Sequence, residues 1–280
     1  MADVRKRSFW VTLVVYPVMF LFTFFAVYPI LWLIIQSFKT TQEYVSSSKL
    51  ALPKVWFAGN YVYAWRQGNF GILVFNSVFY TGVTVTVVIL LAFMAGFAFS
   101  KIKNRATPVL HGIYIIGILL TLQSIMVPLF LLINSVRLLN TRLGVLIPYI
   151  GIGLPMGVYL STEYIRNIPD SLVESARIDG AKYLRIFVSI IFPMAMPVAI
   201  TVAILTFTGT WNEFMLINIL TSRDSLKSIP VGINKFSGAQ SSDYGKQFAA
   251  LVIGLIPMVA FYLIFRKQIT KGVAAGAVKS

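Results

Sequence analysis

Long apolar runs separated by short polar and charged segments are the main pattern of this sequence. A helix that crosses the hydrocarbon core of a bilayer needs about 20 predominantly apolar residues, and six runs are close to this length or longer. We therefore predict an all-α, polytopic membrane protein with six transmembrane helices, forming a single domain over residues 1–280. The predicted spans are residues 12–36, 70–99, 108–134, 144–162, 194–219 and 248–265.

The first apolar run follows three basic residues, Arg5, Lys6 and Arg7, as the apolar region of a signal peptide would. This run is longer than the apolar region of a signal peptide, and no cleavage site with small residues follows it. We therefore expect it to stay in the protein as a membrane anchor.

The composition favours a lipid environment. Hydrophobic residues make up 58% of the chain and charged residues only 12%, about half of the charged share of soluble domains. A net charge of +15 is compatible with nucleic-acid binding, but basic loops facing anionic lipid head groups explain it better in so apolar a chain. The absence of cysteine excludes disulfides and thiolate metal sites, and His111 has no second ligand at metal spacing, so no metal site is expected.

Basic residues near the span ends predict the orientation, because Lys and Arg are enriched on the cytoplasmic side. With the N-terminus in the cytoplasm, fourteen of the 24 Lys and Arg residues fall on the inner side, including the short flanks "RKR" and "KIKNR". We therefore predict that both termini are cytoplasmic. Residues 163–193 then form the longest cytoplasmic loop, between the fourth and fifth spans.

This loop carries the pattern of two short helices joined by a glycine. The first helix is expected to start at Asp170, whose charge suits a helix N-terminus, and to run to Ile178, with Gly180 as the C-cap glycine. A second helix is predicted from Ala181, and Pro193 is expected to break or kink the entry into the fifth span. Helical spacing predicts one apolar stripe on this second helix, formed by Leu184, Phe187, Val188 and Ile191.

A pair of short helices suits docking into a groove of a partner protein. It also suits an interfacial hairpin that lies on lipid. The residue pattern alone leaves both interpretations open.

The loop resembles the permease motif of binding-protein-dependent ABC importers. That motif reads Glu-Ala-Ala, three residues, Gly, nine residues, Ile-x-Leu-Pro, and this chain has the same spacing with Glu174-Ser175-Ala176, Gly180 and Ile190-Ile191-Phe192-Pro193. Ser175 and Phe192 depart from the motif. Over residues 70–280 the chain is similar to the sugar-importer branch, the maltose-type inner-membrane permeases, in "RNIPDSLVESARIDGA", "VRLLNTRLGVLIPY", "TWNEF", "IPVGI" and "GVAAGAVKS".

The resemblance implies a type I ABC importer permease fold in the cell (inner) membrane of a bacterium or archaeon. It implies a transport subunit rather than an enzyme, paired with a homologous second permease and a cytoplasmic ATP-binding subunit dimer. ATP and Mg²⁺ are expected on that ATPase, and no cofactor in this chain. The resemblance assigns contact with the ATPase to the tail 272–280 and, in the loop, to Glu174, Ser175, Ala176, Arg177, Asp179, Gly180 and Pro193.

The resemblance also implies an extracellular or periplasmic sugar-binding protein, with the loop 220–247 near it. The expected cargo is an oligosaccharide, taken up by alternating access, and glycerol phosphate is the alternative because its importers share the motif. A polytopic membrane enzyme lacks support, since no acids or histidines cluster at a membrane face. An ion-coupled transporter would favour inverted repeats, which are not visible. No glycine-rich phosphate loop is present, so the chain itself is not expected to hydrolyse ATP.

Four polar or aromatic residues late in the fifth span are candidates for a substrate path: Thr208, Trp211, Asn212 and Glu213. A carboxylate inside an apolar run tends to face the protein interior or a wet cavity, and Trp and Asn side chains suit stacking on a sugar and bonding its hydroxyls. The alternative is structural, because such side chains also hydrogen-bond to neighbouring helices. Glu213 is also a candidate for pairing with a basic group of the partner permease.

Overall fold

The computed structural model describes residues 2–102, 104–234, 236 and 243–277, with the side chains of residues 2–11, 67 and 267–277 not described. Lys103, part of the basic flank used for orientation, and the side chains of the tail 272–280 therefore lie outside the described part of the chain.

Short loops connect a succession of helices, and the described residues contain no β-strand. A π-helical turn (Phe187–Ile191) joins α9 to α10, and a 3-10 turn (Asp224–Leu226) precedes α13. In chain order the helices are α1 (Ala2–Gln36), α2 (Thr41–Ser46), α3 (Gly59–Gln67), α4 (Phe70–Lys101), α5 (Thr107–Leu119), α6 (Leu122–Ser135), α7 (Arg142–Arg166), α8 (Asp170–Ile178), α9 (Tyr183–Ile186), α10 (Phe192–Met194), α11 (Met196–Trp211), α12 (Met215–Leu220), α13 (Ile229–Asn234) and α14 (Tyr244–Ala277).

The predicted all-α membrane architecture is confirmed. Among the described residues, four helices are long and apolar enough to span a membrane by themselves, with apolar stretches at Thr12–Gln36, Phe70–Lys101, Arg142–Arg166 and Tyr244–Arg266. Two bent helix pairs bring the number of spans to six if each pair forms one span.

The third and fifth predicted spans are not continuous helices. In the third, α5 and α6 meet at a bend of 108°, where Leu120 and Thr121 have extended backbone. At the entry to the fifth, where the sequence predicts a break or kink at Pro193, the helical segment Tyr183–Met194 and α11 meet at 78°. This bend lies at Ala195, between Pro193 and Pro197, which lack the N–H groups that a continuous helix needs. The predicted fifth span also ends early, because α11 stops at Trp211.

The chain divides into two compact units. The first comprises Met1–Phe70 and Ile233–Pro257, and buried polar contacts hold it together. The Asn60 amide, which is 3% exposed, donates hydrogen bonds of 2.8 Å to the carbonyls of Ser37 and Lys39. Burial alone would raise the pKa of the Asp243 carboxyl, but hydrogen bonds from Lys246 and Thr41 outweigh it and lower that pKa below its ordinary value.

The second unit comprises Gly71–Gly232 and Met258–Ser280, and its core lies where α4 crosses α7. Small residues at this crossing let the two backbones approach closely. The Ser161 hydroxyl donates a 2.8 Å hydrogen bond to the carbonyl of Ala92, and a Cβ atom added to Gly96 would lie 2.4 Å from that hydroxyl oxygen. Side chains from the 163–193 loop complete the same core, so the loop is packed onto the spans.

Gly96→Ala tests this close approach. The added methyl group has no room beside Ser161, so we expect a loss of about 1–3 kcal/mol in the free energy of unfolding. Gly82→Ala, on the same helix with no atom within 4 Å of the added Cβ, is the matched control and should leave stability unchanged or slightly higher. Thermal unfolding of the purified protein measures both, and equal midpoints for the two variants would contradict the packing described.

Candidate functional site

The first helix of the 163–193 loop ends as the sequence predicts. Gly180 has φ +79°, a left-handed conformation that favours glycine. Its N–H donates to the carbonyl of Arg177, and the N–H of Ala181 donates to that of Ala176, which together form the Schellman motif. The loop therefore turns sharply at Gly180, directly after α8.

Lys101, the last residue of α4, holds the start of α8 in place. Its side chain is 3% exposed, and its Nζ atom lies 2.6 Å from Asp170 Oδ1 and 2.5 Å from the carbonyl oxygen of Ile168. Val173, one turn into α8, is buried in the core shared with α4 and α7. The ion pair and hydrogen bond of Lys101 and the apolar contact of Val173 therefore both fix α8 to the spans.

The second helix of the loop differs from its prediction in start and in buried face. It starts at Tyr183 instead of Ala181, because Lys182 has extended backbone, with φ −76° and ψ 156°. Leu184 and Val188 of the predicted stripe are 66% and 56% exposed, so that stripe is wrong in part. The π-helical turn shifts the register, and the residues that this segment buries are Ile186, Phe187 and Ile191.

The outward surface of the loop combines charged side chains with exposed apolar ones. Glu174, Ser175, Arg177, Asp179, Gly180 and Pro193 are exposed, and Ala176 is half-buried. The Arg177 guanidinium lies 5.3 Å from the centre of the Tyr183 ring. This contact links the end of α8 to the start of α9 across the turn. Ile178 is 86% exposed at the tip of α8, so the tip offers an apolar contact flanked by charges of both signs.

Glu213 caps a helix inside the second unit. It lies in the break between α11 and α12, where its Oε1 accepts from the N–H of Leu216 (2.6 Å) and its Oε2 from that of Ile217 (3.1 Å). The Tyr149 hydroxyl, on α7, donates to the same Oε2 at 2.7 Å. One carboxylate thus satisfies two N–H groups of α12 that have no intrahelical partner and ties α12 to α7.

A cavity of about 310 Å³ lies beside this carboxylate, between α7 and α11. Most of its wall is apolar, and its polar side chains include Glu213, Tyr149, Thr206 and Thr210. Of the four predicted path residues, Glu213 alone lines this cavity.

The other three predicted path residues lie elsewhere. Trp211 is 4% exposed and stacks on Phe207 with 5.5 Å between ring centres, so its ring packs inside the protein. Thr208 and Asn212 are exposed, and each donates a hydrogen bond to a carbonyl of its own helix.

Asparagines hold the segment that follows α12. The Asn140 side chain accepts hydrogen bonds from the backbone N–H groups of Ser222 and Arg223. The buried Asn76 amide donates to the carbonyls of Ser225 and Lys227, at 2.8 and 3.0 Å. Sequence reasoning did not find this network. Two features of the sequence point to this network. Asn76 lies inside an apolar run, and Asn140 directly precedes Thr141, the N-cap of α7.

Comparison with known proteins gives consistent matches. A family model described as "Binding-protein-dependent transport system inner membrane component" matches residues 89–274. The putative ABC transporter permease protein ORF2 of Caldicellulosiruptor sp. is 34% identical, covering 92% of this chain and 93% of the relative. The diacetylchitobiose uptake system permease protein NgcG of Streptomyces coelicolor is 30% identical, covering 94% and 88%.

One solved structure shows the same fold. It is a chain of a bacterial ABC transporter involved in the import of the acidic polysaccharide alginate, with a TM-score of 0.80. Sequence identity is 24%, and the match covers 94% of this chain and 97% of that one.

A double-mutant cycle tests the role of Glu213. Glu213→Ala leaves helix N–H groups without a partner and should cost about 1–3 kcal/mol of unfolding free energy, while Tyr149→Phe should cost about 1 kcal/mol. Because the two residues share one hydrogen bond, Tyr149→Phe should cost almost nothing in the Glu213→Ala background. Thermal unfolding measures the cycle, with Asn218→Ala on α12 as an exposed control that should not change the midpoint. Additive costs would refute the shared bond.

Proposed function

The chain belongs to the family of binding-protein-dependent transport system inner membrane components, the permease subunits of ABC transporters, and we propose that it imports a carbohydrate, with an oligosaccharide as cargo. In this proposal it pairs with a second, homologous permease and with a cytoplasmic ATPase dimer that binds ATP and Mg²⁺. An extracellular or periplasmic binding protein delivers the sugar. The family description itself supports dependence on a binding protein.

The α8–Gly180–α9 surface is the observation that carries the proposed coupling. It exposes Glu174, Arg177 and Ile178, while its inner side is buried in the core of the second unit. A surface that projects outward yet is fixed to the spans is suited to receive a partner and to transmit its movement. Charges of both signs beside exposed apolar side chains suit a protein groove, and we therefore propose docking rather than a hairpin on lipid.

This arrangement supports alternating access as the proposed mechanism. When ATP closes the ATPase dimer, α8 moves with the subunit on which it is docked. Val173 and Ile168 pack in the same core as Phe97 of α4 and Ala199 of α11, so the spans move with α8 and open the pathway toward the binding protein. ATP hydrolysis resets the inward-facing state. Coupling requires that the ATPase bind α8 with different affinity in the two states.

We place both termini in the cytoplasm of a bacterial or archaeal cell. This orientation puts the α8 surface on the side where ATP is available, and it agrees with the basic flanks of the spans. The relative named for diacetylchitobiose uptake supports a sugar as cargo. The cavity beside Glu213 supplies polar groups at one end and an apolar wall, an arrangement typical of small-molecule sites.

Charge reversal at α8 tests the coupling. Glu174→Lys should reduce ATP-driven sugar uptake at least about tenfold, since a lost charged contact is worth about 1.5 kcal/mol or more. Glu163→Lys is the control, because it reverses a partly exposed acid at the end of α7 whose ion pair among the described residues is with neighbouring Arg166, a pair of little energetic value. Immunoblots of membranes check the amounts. Normal uptake by Glu174→Lys would refute the proposed contact.

Gly180→Ala tests the turn itself. A side chain at φ +79° is strained whatever space surrounds it, so α8 should no longer present its docking surface correctly. We expect normal amounts of protein in the membrane but reduced co-purification of the ATPase and reduced uptake, with Gly82→Ala as control. Wild-type uptake and co-purification in Gly180→Ala would count against a docking role for the turn.

A further inference from the structure

Residues 49–57, "KLALPKVWF", form a loop in the first unit that turns apolar side chains outward. Leu50 is 73% exposed, Leu52 64%, Val55 68% and Trp56 56%. This loop lies outside the spans and outside the sites described above. So many large apolar side chains exposed within one short segment indicate a surface that is covered in the working protein.

Hydrogen bonds to neighbouring elements hold this 49–57 loop in place. The backbone N–H of Lys54 donates to Glu43 Oε1 on α2 at 2.6 Å, and that of Phe57 donates to the carbonyl of Phe38 at 2.9 Å. The outward direction of the apolar side chains is therefore a fixed property of the fold.

Trp32 sets the level of the loop relative to the membrane. Its indole Nε1 donates a 2.8 Å hydrogen bond to the carbonyl of Lys49. Trp32 follows the middle of the apolar stretch of α1, Thr12–Gln36, by eight residues, which is about 12 Å along a helix axis. Half of a hydrocarbon core is about 15 Å. The bond therefore draws the loop back to the hydrocarbon boundary, beside the exposed apolar surface of α1.

The residue types of the loop match that depth. Trp is enriched at the boundary between hydrocarbon and head groups, and the Trp56 ring packs at a tilt against Phe38, with 5.3 Å between ring centres. Lys54 is exposed beyond the leucines, and a long basic side chain reaches from such a position to lipid phosphates. The Lys49 amine instead donates to the carbonyl of Tyr44 and lies over the Tyr44 ring. By contrast, the Tyr61 hydroxyl is occupied by a hydrogen bond to Ser37, so this aromatic residue does not serve the same surface.

We propose that the 49–57 loop is an anchor in the lipid interface, with Leu50, Leu52 and Val55 among acyl chains and Lys54 at the phosphates. The anchor lies on the membrane face where α1 ends, which is the outer face in the orientation proposed above. It would hold the first unit at a fixed depth while the spans rearrange. The proposal depends only on the membrane location of the chain and not on its cargo.

Spin labels at single cysteines test the anchor, because the natural chain contains no cysteine. The variants are Leu50→Cys, Leu52→Cys and Val55→Cys, with Gln42→Cys on α2 as an exposed polar control in the same unit. Each is studied in the assembled transporter in phosphatidylglycerol and phosphatidylcholine vesicles. Collision rates with oxygen, which concentrates in lipid, are compared with those with a water-soluble nickel chelate. The cysteine-free natural chain corrects for labels on partner subunits.

We expect the oxygen-to-nickel ratio of the three loop positions to exceed that of Gln42→Cys several-fold. Ratios equal to the control would place the loop in water and overturn the proposal. Low collision rates with both reagents, rising when the binding protein is left out, would identify a protein docking surface and would also overturn it.

Discussion

A helix that breaks within a membrane must find new partners for its backbone N–H and C=O groups, because hydrocarbon offers none. This constraint explains the role of Glu213, which supplies acceptors to the first turn of α12 where the fifth span is interrupted. In the irregular segment that follows, the Asn140 side chain accepts from the N–H of Ser222 and the Asn76 amide donates to the carbonyl of Ser225. All three side chains thus bond backbone groups where the helical ladder is interrupted.

The same core serves the spans and the loop between α7 and α11. Val173 of α8, Phe187 of the π-helical turn and Ala195 at the 78° bend belong to one continuous apolar cluster with Phe93 and Phe97 of α4. A well-packed core transmits displacement, since it has few voids to absorb it. The proposed docking at the exposed side of α8 would therefore act on the bend that leads into α11 without a separate connecting element.

The structural features that could be predicted from the sequence are those that depend on the length of apolar runs, on composition and on local helix caps. Spans were found because apolar length is decisive in a bilayer, and the turn at Gly180 because a C-cap glycine leaves a local signal. The break at Leu120 and Thr121 was missed, since neither residue forbids a helix. The pairing of Glu213 with Tyr149 was also missed, because the partners are 64 positions apart and only the packing of α7 against α11 brings them together. Trp211 was a candidate for sugar contact because of its residue type. In the folded protein its ring is buried and stacks on Phe207.

The π-helical turn Phe187–Ile191 bears on the number of residues between Gly180 and Ile190. Such a turn holds one residue more than an α-helical turn in the same place. Ile186 and Ile191 are five positions apart and both buried, so the wide turn keeps them on one core across the extra residue. A further inserted residue with no wider turn to absorb it would rotate everything before it by about 100° relative to everything after it. Residue count between the loop glycine and the following proline therefore carries structural information through helical phase, beside residue identity.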